Sequence, residues 1–342
     1  MKPEFILSKS VVLKQYNKVK EHCSIVSYSS KTNPLVTSVL EENNDCWFSI
    51  HLKNELKNVK DKSRVLFLAQ AWTVQEVASL VSLGINKFAV DNEQDLETLL
   101  AYLGKSDVMI TLFLRLKLKE HTLRTEKYFV FGMSSSTINE KVRTLIDHPN
   151  ISALGVHFHR KTQNMAEWNY QYEISSALDN DVLEKIKFMN IGGGLPSEYA
   201  NTNVKVVSGI FNKIDLLKEW LLEKKINLII EPGRFIAAPA VKLVTTIVGK
   251  HSNNLIVNAS VYNTDMDALI VPVKLLVEGE LNKEGKPFVI KGITPCSMDL
   301  FRYRVYLDNP QVGDSLVFLN AGAYNFTTEF CDLDKIETEI VE

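Results

Sequence analysis

Cysteine is scarce in this 342-residue sequence, and its four copies, Cys23, Cys46, Cys296 and Cys331, lie far apart. With no Cys-x-x-Cys pair and no cysteine–histidine metal spacing, neither a disulfide framework nor a zinc site is indicated, and no metal is expected. Long apolar runs are missing as well: none approaches the ~20 residues that span a bilayer. Met1 to Ser8 lacks the charged-then-apolar order of a secretory signal, so a cytoplasmic protein without a membrane partner is expected. The Asn-x-Ser/Thr patterns at Asn258 and Asn325 carry no meaning without such a signal. Neither charge is in excess. Lys and Arg total 39 against 41 Asp and Glu, a net charge of -2, which provides no basic footprint for nucleic acid. The lysine-rich piece 53–62 reads as a solvated helix face.

What is present is a steady alternation between short apolar runs and longer amphipathic stretches. Strand-like runs fall at 24–29, 46–51, 64–69, 87–91, 108–116, 151–159, 186–191 and 227–231. Between them the pattern predicts helices, among them 74–83, 93–103, 138–147 and 206–224, each long enough to cross between parallel strands. Eight such units predict an α/β fold, a closed (β/α)8 TIM barrel over residues 10–240. After that the helical period fades. Runs at 241–248, 254–261, 269–278, 288–293 and 315–319, with a turn over 282–286, predict a β-domain over 241–342, to which residues 1–9 add a strand.

A barrel of this kind carries its reactive groups at the carboxyl ends of its strands. The first strand runs into Ser30-Lys31-Thr32-Asn33-Pro34, and a lysine aimed into a barrel mouth loses enough hydration to free its amine for bonding to an aldehyde. The same lysine also suits an ordinary surface charge. The seventh run ends in Gly192, Gly193 and Gly194, whose backbone N–H groups can converge on an anion, and the eighth ends in Glu231-Pro232-Gly233-Arg234. Loops after strands seven and eight are the usual phosphate site of the fold, so glycines and arginine together read as a phosphate cradle. Glu231 then lies where it can pair with a ring nitrogen, or equally with a structural arginine. His157 and His159, two apart on one strand, permit three readings: a metal pair, one imidazole stacked on a cofactor ring, or a core histidine. The metal reading fits poorly, because barrel hydrolases usually carry that pair on the first strand.

Taken in order, these residues resemble the fold-type III pyridoxal 5'-phosphate (PLP) decarboxylases, the family of ornithine, diaminopimelate and biosynthetic arginine decarboxylases, related in fold to alanine racemase. The resemblance covers nearly the whole chain. The segment at Lys31 resembles the family's Lys-x-Asn with its cofactor-bonding lysine, and Val90-Asp91-Asn92-Glu93 its Asp-Ser-Glu. Phe131-Gly132 resembles Lys-Phe-Gly, with Val130 in the lysine's place. Residues 155–162 resemble the strand of the ring-stacking histidine, here His159, followed by a phosphate-binding hydroxyl, here Thr162. Residues 191–195 and 231–234 are similar to the phosphate glycines and the ring-nitrogen glutamate. Pro295-Cys296-Ser297-Met298-Asp299 is similar to the loop whose cysteine acts as general acid across a dimer interface, and Ala321-Gly322-Ala323-Tyr324 to the segment whose tyrosine meets the phosphate.

The resemblance implies an amino-acid substrate, PLP as cofactor and a homodimer with its active site at the subunit interface. Lys31, Glu231, His159 and Cys296 would be the catalytic set; Thr162, Gly192, Gly193, Gly194, Gly233, Arg234 and Tyr324 would help hold the cofactor. Departures from the pattern bear on the substrate. Arg160-Lys161-Thr162 replaces the usual x-Gly-Ser, so that Lys161 adds charge near the phosphate or tilts the loop. Ser49 stands where ornithine decarboxylases carry an aspartate, Ser297 follows the cysteine where an acid is usual, and Val271 is the best match to the residue that reads the distal charge. Neither expected charge is present, which predicts that ornithine, lysine and diaminopimelate are poor substrates, unless Asp265, Asp267 or Asp299 supplies an acid from another direction. A racemase, a non-catalytic decarboxylase-like regulator and a metal hydrolase are the rival readings.

Overall fold

A computed structural model describes residues 2–118, 131–202, 204–283 and 285–342; Val130 and part of the turn at 282–286 lie outside the described residues. The chain divides into two units, one made of Tyr16–Leu195 and Val206–Gly233, the other of Met1–Gln15, Pro196–Lys205 and Arg234–Glu342.

In the first unit eight parallel strands close into a barrel. Numbering every strand of the chain in order, with β1 at Glu4–Ser8, these are β2 (Ile25–Ser29), β3 (Trp47–Ile50), β4 (Val65–Ala69), β5 (Lys87–Val90), β6 (Ile110–Arg115), β7 (Ile151–His157), β8 (Phe188–Asn190) and β9 (Asn227–Ile230). Helices separate them, and side-chain caps set where several begin. Thr73 and Glu76 form a reciprocal capping box ahead of Val74–Ser82, and Asn92 caps Glu93–Leu103. Ser134 accepts the Thr137 N–H at 3.1 Å, which starts the next helix at Ser135, three residues before the periodicity alone predicts.

The inside of the barrel is graded from apolar to charged. Leu66, Ala89, Phe113 and Ile229 form a buried cluster joined by Ile25, Trp47, Leu68 and Phe188. Gly155 belongs to this layer too: a Cβ there would fall 2.6 Å from the Phe113 ring. Side chains two residues apart on a strand share a face. Stepping two residues toward the carboxyl ends therefore gives Ser27, Ser49, Asp91, Arg115, His157, Asn190 and Glu231, and two more beyond Ser49 gives His51. Burying each large apolar side chain of the lower layer contributes roughly 1.5–3 kcal/mol, and that floor lets the upper layer hold polar groups.

The second unit is built on a mostly antiparallel sheet in the order β12-β15-β10-β11-β13-β14, where β10 is Val241–His251, β11 Asn254–Val257, β12 Leu276–Val277, β13 Phe288–Lys291, β14 Leu300–Val305 and β15 Ser315–Leu319. β1 pairs antiparallel with β10 and parallel with β16 (Thr338–Val341). The strand predicted over 269–278 is not formed as such. Asp267–Ile270 is a helical turn, closed by Val271 N–H donating to the Asp267 carbonyl at 2.8 Å, and only Leu276–Val277 is extended. The periodicity also missed β14 and β16. In β14 the apolar signal is diluted by Arg302, a buried arginine that donates to the Leu275 carbonyl and to Glu280.

Candidate active site

The chemistry of the barrel unit collects at the carboxyl ends of its strands. β2 ends in the tight turn Ser30–Thr32, which sets Lys31 at the mouth. Its side chain reaches solvent through the mouth while protein crowds it on the other sides; that crowding lowers its pKa, Glu231 and Glu55 oppose the shift, and Arg115 adds to it. A lysine in this setting gives up its proton more readily than a free one and becomes a nucleophile.

Glu231, two residues beyond the buried Ile229, is itself buried. Its Oε1 accepts from Asn190 Nδ2 at 2.9 Å and its Oε2 lies 3.4 Å from His157 Nε2. Burial alone would raise its pKa, but His157, Asn190 and His51 outweigh burial and hold the carboxyl at about 2. It is a fixed negative charge at neutral pH. His157 is thus the buried partner of Glu231, whereas His159 lies in the accessible mouth and accepts the Gly193 N–H on Nδ1 at 3.2 Å. Crowding by protein, with Arg115, His157 and Lys31 adding to it against Glu231, pushes the His159 pKa down to about 4, so its ring is neutral at neutral pH. The two histidines therefore face different partners. Among the described residues no group of three His, Cys, Asp or Glu side chains is placed to hold a metal.

The glycine bend is tighter than its sequence implies. A Cβ on Gly193 would fall 2.5 Å from the Glu231 carbonyl oxygen, and one on Gly194, which has φ +107°, 2.5 Å from the Lys161 carbonyl oxygen. The expectation that all three amides face an anion needs correction: Gly192 donates to Asn190 Oδ1 at 2.9 Å and Gly193 to His159. Their amides orient a side chain on each side of the bend, and of the three only that of Gly194 keeps its anion-facing assignment. Gly233 packs on Thr32, where a Cβ would meet Oγ1 at 2.3 Å. Thr162 is exposed in the loop after β7. Lys161 adds no net charge there, because its Nζ is 2.7 Å from Glu167 Oε1, and Arg160 is buried against Glu173.

Two inward residues escaped the sequence reading. Arg115, at the end of β6, donates to Asp91 at 3.1 Å and lies over the Phe131 ring at 4.7 Å; Asp91 also accepts the Gly132 N–H at 3.1 Å. His51 lies beyond Ser49, whose hydroxyl bonds that of Ser27 at 2.8 Å. Counting in steps of two from the apolar floor finds both.

In the second unit Arg234 has its own counter-ion. Its Nη1 and Nη2 meet the two carboxylate oxygens of buried Asp267, Nη2 at 3.1 Å, and Nη1 also donates to Tyr199 Oη at 3.1 Å. Hence Arg234 is not the unneutralised cation that the sequence suggests, and Asp267 is not a spare acid for a substrate. Tyr324 lies over the Arg234 guanidinium, 5.4 Å from the ring centroid. Asp299 is also engaged: it accepts Val261 N–H at 2.9 Å and Thr294 N–H and Oγ1 at 3.0 and 2.7 Å, which ties down the loop around Cys296 and corrects its expected role in specificity. Cys296 Sγ is 3.4 Å from Tyr262 Oη; that bond and the Met298 N–H lower the thiol pKa.

Asp265 is the remaining acid, buried and with no partner for Oδ2. Burial first, then Asp267, push its pKa up to about 7. An acid that holds a proton in the fold, where the unfolded chain has lost it, makes stability fall as pH rises from about 4 to about 7. Thermal melts of Asp265→Asn should therefore show a gain of about 1–3 kcal/mol over the parent above pH 7 and none at pH 4. An equal gain at both pH values would contradict this reading of Asp265.

The barrel mouth fits pyridoxal phosphate. A readily deprotonated amine, an ionised buried carboxylate and a neutral imidazole face one opening, and Thr32 Oγ1, His51 Nδ1, Glu55 Oε2 and His157 Nδ1 are buried there without partners. Comparison with known proteins agrees. Residues 10–238 match the family described as "Pyridoxal-dependent decarboxylase, pyridoxal binding domain". The chain is similar to a probable chloroplastic diaminopimelate decarboxylase of Oryza sativa subsp. japonica, 26% identical over 94% of this chain and 71% of that protein. It is similar as well to the 2-[(L-alanin-3-ylcarbamoyl)methyl]-2-hydroxybutanedioate decarboxylase of Staphylococcus aureus, at 22% identity over 80% of this chain and 75% of that one. Diaminopimelate decarboxylase of Helicobacter pylori, solved with L-lysine, superposes with a TM-score of 0.83 at 19% identity, covering all of this chain and 92% of that one.

Proposed function

Because this chain belongs to the pyridoxal-dependent decarboxylase family, we propose that it removes the α-carboxylate of an amino acid whose distal end is polar or neutral rather than a bare ammonium or carboxylate. The observation that carries the substrate class is the lack of an unneutralised charge in the segments that would read that end. Val271 and Ser297 stand where charges are expected, Asp267 is neutralised by Arg234, and Asp299 is held by Val261 and Thr294. Asp265, near its midpoint at neutral pH, suits a hydrogen-bonding group better than a full cation. A charged distal end brought into such surroundings loses hydration with little return, which costs affinity and rate. The similar Staphylococcus aureus enzyme is named for a substrate with a large carbamoyl-linked distal group that ends in two carboxylates, which supports the size of the distal group and not its neutrality.

When bound, pyridoxal phosphate supplies an electron-withdrawing ring that stabilises the carbanion left as CO2 departs. Lys31 would bond the cofactor, Glu231 would hold the ring nitrogen, and His159, kept neutral, would lie against the ring. Gly194, Thr162 and Gly233 would contribute to the phosphate end. Cys296 would return a proton to Cα from the neighbouring subunit of a homodimer, its thiol positioned by Tyr262. A cytoplasmic setting suits an enzyme of this kind, and no helix among the described residues is long and apolar enough to cross a membrane.

The test is CO2 release from a panel of α-amino acids by the cofactor-loaded enzyme. Amino acids with amide, hydroxyl or carbamoyl distal groups should be turned over with kcat/KM at least about tenfold above ornithine, lysine and diaminopimelate. Rapid turnover of ornithine would refute the substrate class, and failure of every amino acid to release CO2 would refute the reaction.

A further inference from the structure

His51 is a titratable group in the barrel mouth that the mechanism above leaves unused. β2 and β3 are hydrogen-bonded neighbours with Ser29 opposite Ser49. Two residues further along each chain stand Lys31 and His51, and the turn Ser30–Thr32 packs against β3 and against the turn Lys53–Asn58. His51 shares the inward face of Ser49 and Trp47, so strand alternation sends its ring into the mouth rather than toward the outer helices. Its backbone is pinned, since Glu55 Oε1 accepts the N–H groups of His51 and Leu52 at 3.1 and 2.9 Å. Its ring is not: Nδ1 is buried with no hydrogen-bond partner, a costly state that needs a reason.

The charged and titratable groups that act on it are Lys31 from the turn after β2, Glu55 from its own turn, Arg115 from β6, His157 from β7 and Glu231 after β9. Burial first, then Lys31, push the His51 pKa down to about 3, so at neutral pH the ring carries a free lone pair and no charge.

We propose that His51 is a positioning residue for Lys31: its Nδ1 accepts a hydrogen bond from the Lys31 amine and keeps that nitrogen turned into the mouth, ready for the cofactor aldehyde. The reaction it assists joins the amine nitrogen to the aldehyde carbon, and the carbonyl oxygen leaves as water with the two amine protons. A neutral acceptor favours this because it orients the nitrogen without adding a positive charge, and its bulk keeps water from rehydrating the ammonium. The inference rests on Lys31 as the cofactor lysine.

The experiment follows uptake of pyridoxal phosphate by the cofactor-stripped full chain, using absorbance at a series of pH values, in the parent, His51→Leu and His51→Gln. Leucine keeps the bulk without an acceptor; glutamine restores one. At pH 7.5 the leucine variant should take up cofactor at least about tenfold more slowly because its amine is no longer oriented, and its half-maximal rate should fall at a lower pH than the parent's because a lost acceptor no longer stabilises the ammonium. Glutamine should recover the rate to within about threefold of the parent, as an acceptor restored in place predicts. Circular dichroism checks that each variant is folded, and His51→Ala replaces the leucine variant where leucine does not fold. Parent-like rates and pH profiles in the variant lacking an acceptor would overturn the proposal, as would a glutamine variant no faster than it. Borohydride trapping and peptide mass separate this from the premise: a pyridoxyl group on another lysine sinks the Lys31 assignment, whereas one on Lys31 with unaltered uptake kinetics sinks only the role of His51.

Discussion

Lys31→Ala should leave a folded protein that binds pyridoxal phosphate without bonding to it and releases CO2 more slowly by a factor of about 1,000 or more, the upper part of what removing an acid–base group costs. The fold should survive because the Lys31 side chain reaches solvent and because the turn it occupies is held by neighbours. Ser30 Oγ bonds Thr37 Oγ1 at 2.9 Å and Asn33 caps the next helix by accepting the Leu35 N–H at 3.0 Å. Catalysis should not survive, because Lys31 is the proposed nucleophile and its readiness to react comes from its place: crowding by protein weakens its hold on the proton, against the opposing pull of Glu231 and Glu55. Lys31→Arg is the informative control. An arginine keeps its charge at any pH the protein tolerates and is no nucleophile, so it should be as inactive as alanine despite its similar size and charge. The check is single-turnover CO2 release together with borohydride trapping. A variant that still carries a trapped pyridoxyl group would mean that another amine does this work.

The barrel was legible because its parts obey local rules. Parallel strands buried on both faces read as short apolar runs, and crossover helices carry their own period, so all eight strands fall within a few residues of the expected runs. The carboxyl-end residues Lys31, Glu231 and Gly192 to Gly194 could be found because the fold fixes where strands stop. What could not be read was pairing between residues far apart in sequence. Nothing near Arg234 announces Asp267, 33 positions on, as its counter-ion, and nothing in Cys296-Ser297-Met298-Asp299 says that Asp299 turns back to hold Val261 and Thr294. Acids counted along the chain therefore gave too many candidates for a substrate contact, and of Asp265, Asp267 and Asp299 it is Asp265 that keeps an oxygen without a partner. His51 and Arg115 were overlooked for a different reason. Each follows an apolar run as a lone polar residue, and only its inward phase, fixed by closure of the barrel, separates it from a solvated strand end.

Glu231 should divide its two roles between two substitutions. Its carboxylate is ionised across the working pH range: its pKa in the fold, about 2, lies below the ordinary 4.5, so its contribution to stability is present above about pH 4.5 and is lost as pH falls through about 2. Glu231→Gln keeps the shape and an oxygen for Asn190 but removes the charge. The rate of CO2 release should fall by about 100-fold to 10,000-fold, because an uncharged amide cannot keep a ring nitrogen protonated, while the melting temperature should fall only by the share of stability the charge supplied, less than in alanine. Glu231→Ala removes the acceptor as well. Asn190 Nδ2 and the His157 ring then face a cavity in a buried layer, each losing its only hydrogen bond to that carboxylate, at about 1–3 kcal/mol apiece. The alanine variant should therefore lose both rate and several degrees of melting temperature, and the gap between each variant and the parent should narrow below about pH 3 as the parent carboxylate itself takes up a proton. If glutamine destabilised the fold as much as alanine, the negative charge would be holding the barrel together, and its pairing with a ring nitrogen would no longer be needed to explain why it is buried.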